Sequence, residues 1–208
     1  MAGLGIAALI ATAAVVADTR SMDTVVALGG GQIPVSALET WTSVGSPLEP
    51  GSPLADDCAA TMGEVPGITD VPVTVVNSNL RGEVASVILA KDEYTAWCVG
   101  TGAGQMYTLL ESPGFIPTSI ADGAIDLGPS GGRIPPDGYG FAAGHAGPGV
   151  ARVTLKEDGI NVTATVENGW WAAWWPSDDE TLNVDGTITV ETSNGETTEY
   201  PAHNLQLP

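Results

Sequence analysis

From Val73 onward, β-branched and aromatic residues alternate with polar ones at the period of two that marks half-buried strands. The alternation predicts strands over Val73–Val76, Glu83–Ala90, Tyr94–Val99 and Met106–Leu110. A second series is predicted over Ala151–Lys156, Asn161–Glu167, Trp170–Trp175, Thr187–Thr192 and Thr197–Tyr200. Asp158-Gly159, Asn168-Gly169 and Asn194-Gly195 each fall between alternating runs. Such pairs supply the positive φ angles of tight hairpins, so the second series reads as an antiparallel meander. Between the two series, Ser112 to Gly149 is dominated by Gly and Pro and reads as a long packed connection.

The fold expected over 71–208 is therefore mainly β, an antiparallel β-sandwich-like or partly open barrel domain built from hairpins. A weak internal repeat aligns 81–99 with 147–167, placing Val84, Val87 and Leu89 in register with Val150, Val153 and Leu155. Duplication of a hairpin unit is one reading. The other is the resemblance that any two period-2 strands share.

Upstream the pattern changes. Residues 18–70 are rich in Gly, Pro and Ser and read as a stalk and lead-in, with short helical turns near Ala37–Trp41 and Asp56–Met62. Residues 1–17 carry no charge; at ~1.5 Å per residue a helix there is roughly 25 Å long. That suits a signal sequence or a membrane-anchor helix, with a buried N-terminal helix as the third reading. No Lys or Arg precedes the apolar run and the first basic residue is Arg20, so a basic stub is expected ahead of the stated start.

The only cysteines are Cys58 and Cys98. An even pair behind an export signal reads as a disulfide, against the alternative of two independent buried thiols.

Charge then removes whole classes of function. Six basic residues against 25 acidic ones leave a net charge of −19. The six are scattered singly, so no basic stripe exists to neutralise phosphates, and nucleic acid is excluded as a partner. Anionic bilayer surfaces are disfavoured likewise, and membrane contact is confined to the N-terminal segment. A hydrophobic content of 43% nonetheless marks a chain that folds.

The stretch Gly144–Pro176 brings in a resemblance. Gly144, Gly147, Val150, Val153, Leu155, Asp158-Gly159, Val162, Ala164-Thr165-Val166, Gly169-Trp170-Trp171 and Ala173-Trp174-Trp175-Pro176 together resemble a segment of uncharacterised secreted or membrane-anchored actinobacterial proteins. The Leu80-Arg81-Gly82 turn and the single Cys on the strand after it are similar as well. The likeness covers about 33 of 208 residues, and His145 stands where the pattern usually carries Arg. It implies an extracytoplasmic β domain behind one membrane segment and brings no catalytic residues.

Candidate chemistry is sparse. Trp170, Trp171, Trp174 and Trp175 share one predicted strand, so alternation sends two to each face. If one face is core, the other is a flat aromatic platform suited to stacking on sugar rings; the alternative covers both faces, one with a sheet and one with the 112–149 segment. Gly128-Pro129-Ser130-Gly131-Gly132 matches the form of a hydrolase nucleophile elbow, with His145 downstream. Pro135-Pro136 forbids the helix that an elbow requires.

Two His and two paired Cys do not make a zinc site. Asp178-Asp179-Glu180 with Asp185 reads as a solvated turn, and Gly100-Thr101-Gly102-Ala103-Gly104 as a flexible loop. No catalytic, metal or cofactor-binding residue is assigned. The sequence leads to a non-enzymatic cell-envelope interaction or sensor module, secreted or anchored, whose partner is an envelope protein or glycan. Glycan binding through the Trp170–Trp175 strand is the alternative, and an envelope hydrolase the third reading.

Overall fold

The computed structural model describes residues 26–30, 32–63, 72–92, 94–102, 105–111, 120–128, 130–133, 138–157, 159–178 and 186–202. The apolar 1–17 segment lies outside them. No helix among the described residues is long and apolar enough to cross a membrane.

Every strand pair within the sheets is antiparallel, and three open sheets form in place of the two expected, with no closed barrel among the described residues. The first, in the order β1-β5-β4-β3-β2, joins β1 (Val26–Gly30), β2 (Thr74–Arg81), β3 (Val84–Lys91), β4 (Tyr94–Gly102) and β5 (Gln105–Glu111). The second, β10-β11-β7-β6, joins β6 (Ser130–Arg133), β7 (Tyr139–His145), β10 (Thr165–Glu167) and β11 (Trp170–Pro176). The third, β13-β12-β8-β9, joins β8 (Val150–Glu157), β9 (Ile160–Thr163), β12 (Thr187–Thr192) and β13 (Thr197–Pro201).

Packing stacks these sheets with the second in the middle. One cluster of buried side chains joins Trp171, Ala173 and Trp175 of β11 to Val153, Leu155, Val162, Ile188 and Val190 of the third sheet. Another joins Trp170, Ala172 and Trp174 to Val84, Ile88, Trp97 and Val99 of the first. The central sheet is thus buried on both faces.

The lead-in belongs to this body. Val26–Gly30 is a strand of the first sheet, and α1 (Val35–Leu38) buries Ala37 and Leu38 in the core. An eleven-residue helix, α2 (Pro53–Gly63), lies on the outer face of the first sheet. Ser52 accepts the Ala55 and Asp56 amides at its start, and Asp56 in the first turn complements the helix dipole. Leu54, Cys58 and Met62, four residues apart, form its buried stripe. Cys58 is disulfide-bonded to Cys98 of β4, and both are fully buried. Closing 40 residues, the bond is worth ~3–4 kcal/mol in the chain-entropy model.

Other departures have identifiable causes. The expected strand Asn161–Glu167 breaks at Ala164, where the chain leaves the third sheet and enters the central one. Of the Gly/Pro-rich 112–149 segment, β7 lies beside β11 in the same sheet with β6 beyond it, while Ile125 and Asp126 meet Trp171 on the face toward the third sheet. Asn168 (φ 49°) and Gly169 (φ 78°) both take left-handed backbone in the β10–β11 turn, as the hairpin signal required. The two similar hairpins, β3–β4 and β8–β9, stand in different outer sheets.

Several sheet edges are closed by the chain itself. Leu80 of β2 exchanges two main-chain hydrogen bonds with Ser46, the Ser78 amide donates to Glu167 Oε2, and Asn168 Nδ2 donates to the Val76 carbonyl. On β9 the Thr163 amide donates to Ser43 O. Along β12–β13, Thr192 N donates to Glu196 O and Ala202 N to Gly186 O. Bonded pairs alternate in such a ladder, so the nitrogen of Pro201 faces outward, where it offers no donor.

Candidate functional site

The four tryptophans are 8%, 0%, 0% and 3% exposed in the order Trp170, Trp171, Trp174, Trp175. Of the two arrangements considered for this strand, these values describe the covered one and not the aromatic platform. Both faces of the strand are covered, and the second cover is the first sheet, so no pair of rings faces solvent.

The local sequence dictates that arrangement. Trp171 pairs with Gly144 of β7 and Trp175 with Gly140, and cross-strand partners share a face. A Cβ on Gly140 would sit 2.6 Å from the Trp175 ring, and one on Gly144 would collide with the Asp126 carbonyl and lie 2.8 Å from Trp171 Nε1. Each indole therefore lies across a glycine of the neighbouring strand. Trp171 Nε1 donates to the Asp126 carbonyl at 2.8 Å, which satisfies the polar atom of a fully buried ring. On the opposite face Trp97 of β4 stacks on Phe141 of β7 at 4.1 Å between ring centroids.

Asp126 also organises His145. Its carboxylate accepts the His145 amide and lies 3.0 Å from Nδ1, with the two side chains 7% and 12% exposed. Facing a carboxylate, Nδ1 is the ring nitrogen placed to donate. The imidazole lies 3.9 Å from the Trp170 ring, and Nε2 is buried without a protein partner. This is the base-and-orienter half of a nucleophilic triad.

Ser130 does not complete it. Ser130 pairs with Ala142, whose side chain faces the third sheet, while His145 pairs with Trp170, which faces the first. The two residues stand on opposite sides of the central sheet. Ser130 also opens the edge strand β6, without a following helix.

The second polar constellation lies on β2, where Asn77, Asn79 and Arg81 point inward on one face and are 1%, 0% and 0% exposed. Two of the carbonyls they meet, Thr163 O and Thr165 O, flank Ala164, where the chain changes sheets. Asn77 Nδ2 donates to Thr165 O at 3.0 Å and Trp170 O at 3.2 Å, and Asn79 Nδ2 to Ser86 Oγ at 2.9 Å. Arg81 Nη1 donates to Thr42 O at 3.1 Å and Nη2 to Thr163 O. Burial pushes the Arg81 guanidinium down to about 10, well below its ordinary range. Thr42 belongs to a strap, residues 41–46, seated at its start by Trp41, whose Nε1 donates to Trp174 O at 3.0 Å, and at its end by the Ser46–Leu80 pair.

Among the described residues no three His, Cys, Asp or Glu side chains gather closely enough to hold a metal ion. Asp178 is exposed; 179–185 lie outside the described residues. The expected loop at Gly100 is instead strand through Gly102, with a register shift between Gly100 and Gly102. Sequence reasoning missed Asp126, Gly140 and the inward row Asn77, Asn79 and Arg81. For that row no signal was available, since the polar run in VNSNLR leaves no alternation to extend the strand.

The fold thus defines a disulfide-stapled antiparallel β protein of three stacked, sandwich-like sheets with a helix on one outer face. Comparison with protein-family models, with curated proteins and with solved structures finds no match for the chain.

Proposed function

We propose that this chain is an extracytoplasmic, non-enzymatic interaction or sensor module of the cell envelope. The buried Cys58–Cys98 bond carries the reading, because such bonds persist in oxidising compartments and here the bond holds a helix onto a sheet. In this reading Met1–Ala17 exports or tethers the domain, in keeping with the secreted and anchored proteins that the Gly144–Pro176 segment resembles. An envelope protein is the favoured partner over a glycan, since the aromatic rings of β11 are consumed by the core. In this reading His145 is a structural side chain held by Asp126 and Trp170.

Cells producing the full chain can be acid-quenched and fractionated, and its thiols tagged with a maleimide before and after reduction. The expected result is an envelope or medium fraction tagged only after reduction, and a cross-linked adduct with an envelope protein. A cytosolic pool tagged before reduction would overturn the location. Turnover of ester or glycan substrates that is lost in Ser130→Ala or His145→Asn would overturn the non-enzymatic assignment.

A further inference from the structure

Three polar atoms on the inward face of β2 have no protein partner: Asn77 Oδ1, Asn79 Oδ1 and Arg81 Nε. Residues two apart on one face of a strand stand about 7 Å apart, so the three side chains form one continuous row. Gly45 of the strap closes over its middle, where a Cβ would lie 3.1 Å from Asn79 Cβ and 3.4 Å from Thr165 Oγ1. Buried polar groups are almost always hydrogen-bonded, and three neighbouring exceptions, one on a guanidinium, call for a bound species.

The donor and acceptor types select that species. Arg81 Nε can only donate. The Asn77 amide is fixed in orientation because its Nδ2 already donates to Thr165 O and Trp170 O, so its orphan Oδ1 can only accept. An anion beside Arg81 would face asparagine carbonyl oxygens, and a cation would face the guanidinium. Water alone both accepts and donates at no electrostatic cost. We propose that the Asn77–Asn79–Arg81 row is a buried hydration site, with at least one ordered water accepting from Arg81 Nε and donating to Asn79 Oδ1.

The alternative is a halide, and it turns on Asn79. Were that amide flipped, Oδ1 would accept from Ser86 and the orphan atom would become a donor beside Arg81, a pair that favours an anion. A crystal structure of the full oxidised chain grown or soaked in sodium bromide separates the two, read together with water-to-protein cross-relaxation at Arg81 Hε in solution. The expected result is oxygen density at hydrogen-bond distance from Arg81 Nε without anomalous signal, and a cross-peak of the sign given by long-lived bound water. An anomalous bromide peak there would overturn the proposal in favour of an anion site. Absence of both density and cross-peak would overturn it in favour of a dry row.

Discussion

The two buried regions that flank Trp170 solve the same problem with opposite chemistry. Around β11 the contact is apolar, large rings lie over glycines, and the Trp171 N–H finds a carbonyl. Along β2 the contact is made by Asn77 and an unneutralised arginine reaching carbonyls on four other segments, with Asn79 between them bonded to Ser86 Oγ. The difference follows from what each region must cover. Paired strands present side chains to one another, so indole and glycine can interlock. A chain switching sheets at Ala164 presents bare carbonyls, and only long polar side chains reach them. The apolar region supplies stability, and the polar one fixes which segments meet.

That contrast can be broken at its strongest point first. Trp171→Ala should cost about 3–5 kcal/mol in urea unfolding, since it empties a fully buried indole site beside Gly144, which has no side chain to fill the space. Gly140→Ala tests the same contact from the other strand, and overpacking against Trp175 should cost about 1–3 kcal/mol without loss of the denaturant slope.

The polar region should differ in kind. Above about pH 10 the folded chain should give up the Arg81 proton while the unfolded chain still holds it, so this group's contribution to stability rises with pH from there. Compared with Arg81→Met, the parent should therefore gain stability from pH 9 to 11. A constant difference would mean that Arg81 stays charged throughout. The smallest effect concerns Trp41, half-buried at the strap. Of the six tryptophans it alone should be appreciably quenched by acrylamide, and Trp41→Phe should leave a blue-shifted, quench-resistant emission.

Legibility in the sequence followed the same divide. The Trp strand, its turn at Asn168-Gly169 and most ladders of the outer sheets were readable, because alternation and positive-φ pairs are local signals. Strand β7 was not, because Gly140 and Gly144 look like turn residues until the indoles that need their bareness are placed beside them. The inward face of β2 was hidden for another reason. The expected strand stopped at Val76, because Asn77, Ser78 and Asn79 are all polar and leave no alternation to extend it to Arg81. The break at Ala164 left no mark, since Thr-Ala-Thr continues a strand in any local reading. Asp126 reaches His145 across 19 residues of Gly/Pro-rich chain, a distance at which spacing carries no register.

The closed edges have a consequence for life in company. A row of open main-chain donors and acceptors lets copies of a β protein add to one another strand by strand. Here β2 is covered by the Ser46 strap and by the Glu167 and Asn168 side chains, β9 by Ser43, and β13 turns the mute nitrogen of Pro201 outward. Molecules crowded side by side are thereby denied two of these borders as routes to a ribbon, and the third is blunted at Pro201. Recognition at those borders must read side chains on sheet faces and turns rather than borrow the backbone.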